Sequence, residues 1–364
     1  MRISSPSCAA RALRLFVFLM GATALAFAQQ PSGVPVQADY PWKPAKGLCT
    51  GGLEKVLTAC DPENWPSEVV TRERLETLYT AENWALLERA LGEIVASGKR
   101  YESGVPATTT IYSLFRKRMG APGMPSAEVQ RVERWMTAYP KSSFATYALA
   151  RTQYAAAWNL RGAGYSGSVS KESWELFEIG LQRAEKTLLN APQALKDTPL
   201  WYHQMLAISL DLKKPVEQPL SLLERAGKKW PDYYGIYLIA INRLVPQWGG
   251  SWEEVDAAIG KWSTRAEQRE GKSLYARLYF DAIFFGHPAH EMAINWPRMK
   301  VSLQDLTKRY PAAEYKNFYA NLACVKRDKK TFAEAMQQIP RDELFESLWL
   351  NGHSYEACMR WAAS

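Results

Sequence analysis

Apolar residues recur at steps of three and four along most of the chain after residue 66. Three such stripes are Trp84, Leu87, Leu91 and Ile94; Trp174, Phe177, Leu181, Ala184 and Leu188; and Trp201, Met205, Ile208 and Leu212. This spacing places the side chains of each stripe on one face of an α-helix. The sequence has no comparable alternation of the kind that marks strands. The pattern therefore predicts an all-α protein.

Pairs of polar residues predict where some helices begin. They are Ser251 with Glu254, Ser302 with Asp305, and Thr331 with Glu334. Each pair can satisfy free backbone amides of a first helical turn. Residues 233–245 are apolar on nearly every side, which predicts a helix packed between other helices.

Prolines at recurring positions also predict helix starts. They occur in the steps Tyr139-Pro140, Thr198-Pro199, Trp230-Pro231 and Tyr310-Pro311. Proline fits the first turn of a helix, where its missing amide costs nothing. Only the interval from Pro199 to Pro231 is close to the roughly 34-residue tetratricopeptide period. Together with alanines at the expected helix crossings, this predicts a degenerate tetratricopeptide-like α-solenoid of stacked helix pairs.

The first 28 residues have the three parts of a bacterial secretory signal peptide. Arg2, Arg11 and Arg14 precede the apolar run 15–26, and Ala26-Phe27-Ala28 supplies a small-residue cleavage site. The run is shorter than the roughly 18 to 20 apolar residues of a membrane span. We therefore expect a chain that starts near Gln29 and is periplasmic or secreted, without membrane insertion. Residues 29–66 are expected to form an extended Pro- and Gly-rich leader before a helical-repeat domain at 67–364.

Charge and composition narrow the classes of partner. Removing the three arginines of the signal peptide lowers the formal net charge of +8 by three, and the other cations are scattered among acids. Scattered charges of both signs are typical of solvated helix faces. We therefore expect no nucleic-acid partner. Hydrophobic residues make up 47% of the chain, which excludes a mostly disordered protein.

Four cysteines follow the predicted cleavage site: Cys49, Cys60, Cys324 and Cys358. An even number in an oxidising compartment favours two disulfides, for which three pairings exist. Proximity in sequence favours Cys49–Cys60 and Cys324–Cys358. A metal site is the weaker interpretation, because neither pair has the close spacing of zinc ligands.

Several segments resemble a bacterial exported family of unknown function that is built from tetratricopeptide-like helices. The resemblance runs from about Trp135 to Tyr279 and continues in the tail from Cys324 to Trp361. It rests on Asn159-Leu160-Arg161-Gly162-Ala163-Gly164-Tyr165, Trp230-Pro231-Asp232-Tyr233-Tyr234, Pro246-Gln247-Trp248-Gly249-Gly250-Ser251 and Cys358-Met359-Arg360-Trp361-Ala362. The resemblance implies a fold and a compartment, and it implies no reaction.

Gly162, Gly164 and Gly167 match the spacing of a dinucleotide-binding fingerprint. That fingerprint requires a strand before it, whereas residues 144–158 have a helical pattern. We therefore predict an inter-helix loop and no cofactor. Because binding residues concentrate on loops, Arg161 and Tyr165 are candidate ligand-binding residues.

His287, His290 and Glu291 bring two imidazoles and a carboxylate close together in sequence. Zinc-binding helices space their histidines one turn apart on one face, as in His-Glu-x-x-His. The spacing of three and the intervening Pro288 favour a turn with solvated imidazoles. We therefore predict no metal site.

The turn Trp248-Gly249-Gly250-Ser251 admits two interpretations. In the first, the glycines form a tight turn, Ser251 caps the next helix and Trp248 covers the helix ends. In the second, Trp248, Ser251, Trp252 and Tyr275 belong to a ligand-binding surface with an aromatic wall that grips a peptide or a sugar. We also predict that this turn and residues 161–166 border one concave surface.

These patterns favour an exported helical-repeat protein that binds or scaffolds a peptide or protein partner in the cell envelope. The alternative is a glycan-binding protein or hydrolase with an aromatic groove. No serine, cysteine or carboxylate pair stands out as catalytic, so an enzyme is the less favoured class and no catalytic residue is assigned.

Overall fold

The computed structural model describes residues 67–119, 126–162, 166–284, 286–349 and 353–364. This part of the chain is all-helical, and no strand occurs in it beyond an isolated bridge between Arg100 and Pro106. The all-α prediction is thereby confirmed for the described residues. The predicted signal peptide (1–28) and leader (29–66) lie outside them.

The helices fall into two compact units. Unit 1 takes residues up to Tyr101 and from Val105 to Glu224, and unit 2 takes Glu102–Gly104 and Arg225–Ser364. Within the described residues, the first eight helices are α1 (Glu68–Thr80), α2 (Trp84–Ser97), α3 (Thr109–Met119), α4 (Ser126–Ala138), α5 (Ser143–Arg161), α6 (Lys171–Leu189), α7 (Gln193–Lys196) and α8 (Pro199–Asp211). The next eight are α9 (Glu217–Lys229), α10 (Gly235–Leu244), α11 (Trp252–Glu270), α12 (Ser273–Phe284), α13 (Trp296–Arg309), α14 (Ala313–Val325), α15 (Lys329–Met336) and α16 (Tyr355–Ala363).

The predicted cap at Ser251 is confirmed, because its side chain accepts a hydrogen bond from the Glu254 amide at the start of α11. The caps predicted at Ser302 and Thr331 are wrong. Both residues lie inside helices, α13 and α15, which Asn295 and Asp328 cap instead. Ser302 has a tertiary role: its hydroxyl donates to the Lys272 carbonyl and accepts from the Ala276 amide.

Only one of the four predicted proline starts is confirmed. Pro199 occupies the first turn of α8. Pro140, Pro231 and Pro311 lie before the N-cap residues of α5, α10 and α14, so those helices begin later than predicted. The hydroxyl of Ser142 accepts hydrogen bonds from two amides in the first turn of α5. Proline cannot cap a helix in this way, because its side chain has no hydrogen-bond acceptor.

Unit 1 has an aromatic core. Trp84 and Trp135 stack with ring centroids 5.2 Å apart. Tyr79 packs edge-on against both Trp135 and Phe115. The indole of Trp135 donates to Glu88, whose pKa is raised because burial disfavours the carboxylate. The helical stripes of α2 and α6 are buried as predicted, except that the leading residues Trp84 and Trp174 are half-buried.

Unit 2 is organised around helices α10 to α14. The prediction that residues 233–245 are packed between other helices holds for one side of α10. The buried residues on that side are Ile236, Tyr237, Ile241 and Leu244. Leu238 and Ile239 on other sides are only half-buried. The apolar segment therefore lies against neighbouring helices without being enclosed by them.

A buried cation forms the centre of a polar cluster in unit 2. The Arg277 guanidinium lies 4.5 to 4.9 Å from the ring centroids of Tyr234, Tyr310 and Tyr315. Glu270, also fully buried, accepts a hydrogen bond of 2.9 Å from the Tyr234 hydroxyl. We call these five residues the Arg277 cluster. Buried charges of opposite sign in one cluster offset part of each other's desolvation cost.

The predicted disulfide Cys324–Cys358 is present and joins α14 to α16. Its partners are separated by 34 positions in the sequence. Cys49 and Cys60 lie outside the described residues, so their pairing stays a prediction. Within the described ranges, none of the helices is both long and apolar enough to span a bilayer.

Candidate functional site

Helices α5 and α6 form a tightly packed antiparallel pair in unit 1. A Cβ built on Gly180 would lie 2.6 Å from the Cβ of Ala157, so the two helices approach as closely as glycine allows. At the other end of α6, the Thr187 hydroxyl donates to Gln153 at 2.7 Å. The sequence analysis predicts that the loop joining these helices contains the candidate ligand-binding residues Arg161 and Tyr165.

Aromatic rings fill the end of this pair nearest the loop. Phe177 packs edge-on against Trp158 and Trp174, with centroid distances of 4.9 and 5.8 Å. The guanidinium of Arg161 lies 5.4 Å from the Trp158 ring and 4.9 Å from the Trp174 ring. Such cation–π contacts are stronger where water is excluded.

Arg161 is buried, with 4% of its surface exposed. It is the last residue of α5, which differs from the exposed loop position that the sequence predicts. Burial lowers the pKa of Arg161, and the charge of Asp211 opposes that shift. Asp211 itself accepts hydrogen bonds from the Tyr154 hydroxyl and the Trp158 indole. Arg161 therefore helps to position Trp158 and Trp174, which are both half-buried.

The outer surface of the same helix pair carries exposed apolar side chains among its charged ones. Of the seven large apolar side chains exposed in the described residues, four lie on α5 or α6: Leu160, Leu176, Ile179 and Leu189. Leu176 and Ile179 are one turn apart on α6, with 40% and 53% of their surfaces exposed. The contacts Ala157–Gly180 and Arg161–Trp174 place Leu160, which is 51% exposed, at the level of Leu176. We call Leu160, Leu176 and Ile179 the α5–α6 face.

The glycine-rich connection after α5 is described in part. Gly162 has a positive φ of 77°, and a short 3-10 turn at Ser166–Ser168 precedes α6. A helix, not a strand, precedes Gly162, as the sequence predicts. Tyr165 lies outside the described residues, so its predicted binding role stays a prediction.

The second group of predicted site residues belongs to unit 2, whereas Arg161 belongs to unit 1. The shared concave surface thus stays a prediction. Trp248 ends a short 3-10 helix, and Gly249 follows with a φ of 88°, as the tight-turn interpretation requires. The Arg243 guanidinium lies 5.2 Å from the Trp248 ring.

Trp252 and Tyr275 have different surroundings. Trp252 packs edge-on against His287, with centroids 5.6 Å apart. Tyr275 is buried, its hydroxyl bonds to Asp256, and Arg298 lies 4.6 Å from its ring centroid. Burial is the main cause that raises the pKa of Tyr275, and the bond to Asp256 adds to it. The contact partners of Tyr275 thus include a carboxylate and a guanidinium of its own unit.

The histidines occupy separate environments. His287 is half-buried and its Nε2 lies 3.1 Å from Oδ1 of Asn242, whereas His290 is exposed beside Glu291. His203 stacks on Tyr112 with centroids 4.3 Å apart, and the His353 carbonyl accepts from Asn321. Among the described residues, no group of three or more His, Cys, Asp and Glu side chains is placed to hold a metal ion.

Sequence reasoning missed the α5–α6 face and the role of Asp211. A signal for the face was present: Leu176 and Ile179 are apolar residues that fall outside the buried stripe of Trp174, Phe177 and Leu181. Asp211 offered no comparable signal, because its partners Tyr154 and Trp158 lie more than 50 residues away along the chain.

Comparison with known proteins leaves the chain without an established relative. No family model matches it, and neither a curated protein nor a solved structure is similar to it at a significant level.

Proposed function

We propose that this chain is an exported helical-repeat protein that binds a protein partner through the α5–α6 face. Export is supported by the signal-peptide pattern of residues 1–28. The repeat architecture is supported by closely packed consecutive helices such as α5 with α6, and by the resemblance of residues 135–279 to an exported tetratricopeptide-like family. Stacked helix pairs present extended surfaces that suit peptide and protein ligands.

The observation that carries the proposal is the exposure of three large aliphatic side chains on one helix pair. Single exposed apolar residues are common, but clusters beside a rigid support are typical of interaction sites. Here the support is the packed group of Trp158, Trp174 and Phe177. Because Arg161 fixes the two tryptophans, the face is held in one shape before any partner arrives, which lowers the entropic cost of binding.

Acidic residues precede the α5–α6 face on α6, and Arg183, one turn after Ile179, is an exposed cation on its other side. The acidic side indicates the chemistry of the partner. Glu172 and Glu175 are exposed and lie one turn before Leu176 and Ile179 on α6. Lys171 is the one cation that pairs with Glu175 among the described residues, at 3.7 Å and fully in solvent. A complementary partner carries an apolar segment flanked by lysine or arginine, since opposite charges guide association.

Site-specific photo-crosslinking tests the proposal. A benzophenone amino acid is introduced at Leu176 or Ile179 in cells that export the chain, and adducts are identified by mass spectrometry. The matched control is Val301 on α13, an aliphatic side chain whose exposed fraction of 52% is close to the 53% of Ile179. We expect one protein adduct shared by positions 176 and 179 and absent at position 301.

Three results would contradict the proposal. The first is the absence of any adduct at positions 176 and 179. The second is the same adduct at position 301, which would indicate non-specific capture. The third is an adduct of twice the mass of the chain, which would assign the face to self-association. Introducing a negative charge with Leu176→Glu is expected to abolish the adduct at 179 without changing the melting temperature by more than about 2 °C, since surface substitutions have small effects.

The intact mass of the protein from the periplasmic fraction tests export separately. A chain that begins at or near Gln29 is expected, and retention of Met1 in that fraction would contradict the signal-peptide prediction.

A further inference from the structure

Unit 1 contains a buried arginine whose contacts include no carboxylate. Among the described residues three arginines are buried: Arg151, Arg161 and Arg277. The charge of Asp211 acts on Arg161, and that of Glu270 acts on Arg277. The contacts of Arg151 within the described ranges are Gln204 and two tyrosine rings, none of which carries a negative charge. A buried charge without a counter-charge is strongly unfavourable.

Helices α3, α5 and α8 surround the Arg151 guanidinium. Its Nη1 donates to Oε1 of Gln204 on α8 at 2.6 Å. Its Cζ lies 4.9 Å from the ring centroid of Tyr112 on α3, and 5.5 Å from that of Tyr154, one turn further along α5. Arg151 has 6% of its surface exposed, and Gln204 has none. The guanidinium therefore lies inside the packed helices of unit 1.

The carboxylate of Asp211 is engaged in the next part of the same helices. Asp211 lies two turns beyond Gln204 on α8. It accepts hydrogen bonds from the Tyr154 hydroxyl and the Trp158 indole, and its charge acts on Arg161. The negative charge of Asp211 is thus matched by Arg161, which leaves the charge of Arg151 to be balanced.

Three buried polar atoms near the guanidinium have no hydrogen-bond partner among the described residues. They are Nε of Arg151, Nε2 of Gln204 and the hydroxyl oxygen of Tyr147. Tyr147 lies one turn before Arg151 on α5, so the two side chains are neighbours on one face of the helix. Burial raises the pKa of Tyr147, and the charge of Arg151 opposes that shift, as expected for a hydroxyl close to the guanidinium. Buried polar groups without a partner are rare in native proteins and indicate a bound water or ion.

We propose that a chloride ion binds to Nε of Arg151, Nε2 of Gln204 and the hydroxyl of Tyr147. All three groups can donate a hydrogen bond, and a chloride ion accepts several such bonds at once. The positive charge of Arg151 favours an anion over a water molecule, because water would leave that charge unbalanced. The burial of all three groups favours a monatomic ion over larger anions, whose sites are clefts or cavities of several hundred Å³.

Anomalous X-ray diffraction tests the proposal directly. Bromide replaces chloride at chloride sites and is identified by its anomalous scattering, so crystals of the exported chain are grown in sodium bromide. We expect a bromide peak within hydrogen-bonding distance of Arg151, Gln204 and Tyr147. Electron density without an anomalous signal at this position would identify a water molecule and overturn the proposal. Absence of any density there would overturn it as well.

Melting temperatures at constant ionic strength give the test in solution. Sodium gluconate replaces sodium chloride, because gluconate is too large for an enclosed site. A ligand that binds only the folded chain stabilises it in proportion to the logarithm of its concentration, once the concentration exceeds Kd. We expect the melting temperature to rise by roughly 3 to 5 °C for each tenfold increase in chloride in that range. A wild-type melting temperature that does not depend on chloride would overturn the proposal.

Tyr147→Phe separates a chloride site from a merely structural tyrosine. It removes one donor and keeps the ring, so chloride affinity should fall by about tenfold or more, since a hydrogen bond to a charged group contributes about 1.5 to 3 kcal/mol. The matched control is Ser209→Ala, which removes a buried hydroxyl that also has no hydrogen-bond partner among the described residues. Ser209 lies on a different side of α8 from Gln204, so we expect a change in chloride affinity of less than twofold.

Arg151→Met is expected to abolish the chloride dependence of the melting temperature. Should this variant fail to fold, Tyr147→Phe still decides the question. Unchanged chloride affinity in Tyr147→Phe would overturn the proposal, as would equal weakening by Tyr147→Phe and Ser209→Ala. No residue of the α5–α6 face takes part in this site, so the photo-crosslinking test of that face can succeed or fail independently.

Discussion

The guanidinium of Arg277 donates a hydrogen bond of 2.5 Å to the carbonyl oxygen of Ser103, 174 positions earlier in the chain. The Tyr315 hydroxyl donates to the same carbonyl at 3.0 Å, and the Tyr234 hydroxyl lies 3.2 Å from the Gly104 carbonyl. The Arg277 cluster therefore supplies donors to the backbone of Glu102–Gly104, a segment that lies outside the helices. Buried backbone carbonyls without such donors would be costly.

Replacing Arg277 by methionine is expected to lower the free energy of unfolding by about 3 to 5 kcal/mol. The substitution leaves Glu270 buried without its counter-charge, which is the costly case for a buried charged pair. Urea denaturation measures the loss. Arg298→Met is the control, because Arg298 also lies over a tyrosine ring and donates to a backbone carbonyl, that of Gly260, yet it is exposed. Equal losses in the two variants would contradict the role given to burial.

Gly104→Ala is expected to destabilise the protein more than Gly98→Ala. Both glycines have positive φ values, 76° and 58°, so both substitutions carry the strain of a left-handed conformation. A Cβ at Gly104 would also lie 2.4 Å from the Tyr310 ring, whereas a Cβ at Gly98 meets nothing within 4 Å. We expect about 1 kcal/mol for Gly98→Ala and about 2 to 4 kcal/mol for Gly104→Ala. Similar losses by urea denaturation would show that the Tyr310 contact relaxes freely.

The sequence patterns predicted features that depend on neighbouring residues along one helix. The stripes of α2 and α6 and the Ser251 cap belong to this class, because each depends on spacing alone. The Cys324–Cys358 disulfide joins two helices and was predicted instead from the even number of cysteines and the proximity of the pair in sequence. Ser302 shows where such reasoning fails. Its pattern matches a cap, but its hydroxyl bonds to the distant Lys272 carbonyl, a partner that periodicity cannot reveal.

The same distinction applies to the candidate site. Arg161 follows a helical pattern and precedes glycines, so the sequence placed it in an exposed loop. Its burial depends on Trp174, which comes from the next helix, and on Asp211, which comes from α8. The apolar pattern of α6 predicts one buried stripe. Leu176 lies outside that stripe, and its side chain is exposed. A helical pattern shows which residues share a face, but not whether a neighbour covers it.

The pH dependence of stability should report on His287. Burial lowers its pKa from the usual 6.5, so between the lowered pKa and 6.5 the unfolded chain binds more protons than the folded chain. The contribution of His287 to stability is therefore fully present above about pH 6.5 and is lost as the pH falls toward the lowered pKa. We expect His287→Gln to reduce the slope of unfolding free energy against pH in this window. His290→Gln, an exposed histidine of the same turn, is the control. An unchanged slope in His287→Gln would contradict the assignment.

Removing the Cys324–Cys358 disulfide is expected to lower the free energy of unfolding by about 3 to 4 kcal/mol, because a loop of this length gains substantial entropy when unfolded. Urea denaturation of the double variant Cys324→Ser, Cys358→Ser measures this directly. Adding a reductant to the double variant then tests the predicted Cys49–Cys60 bond. A further loss on reduction supports that bond, and identical curves with and without reductant contradict it.

Unit 2 is discontinuous in the sequence, since Glu102–Gly104 belong to it while the chain on either side of them belongs to unit 1. One cut in the gene therefore cannot produce two complete units. A polypeptide that starts at Arg225 would contain Arg277, Tyr234 and Tyr315 without the carbonyl groups of Ser103 and Gly104 that accept their hydrogen bonds. A better way to isolate unit 2 is to fuse residues 102–104 to residues 225–364 through a designed linker.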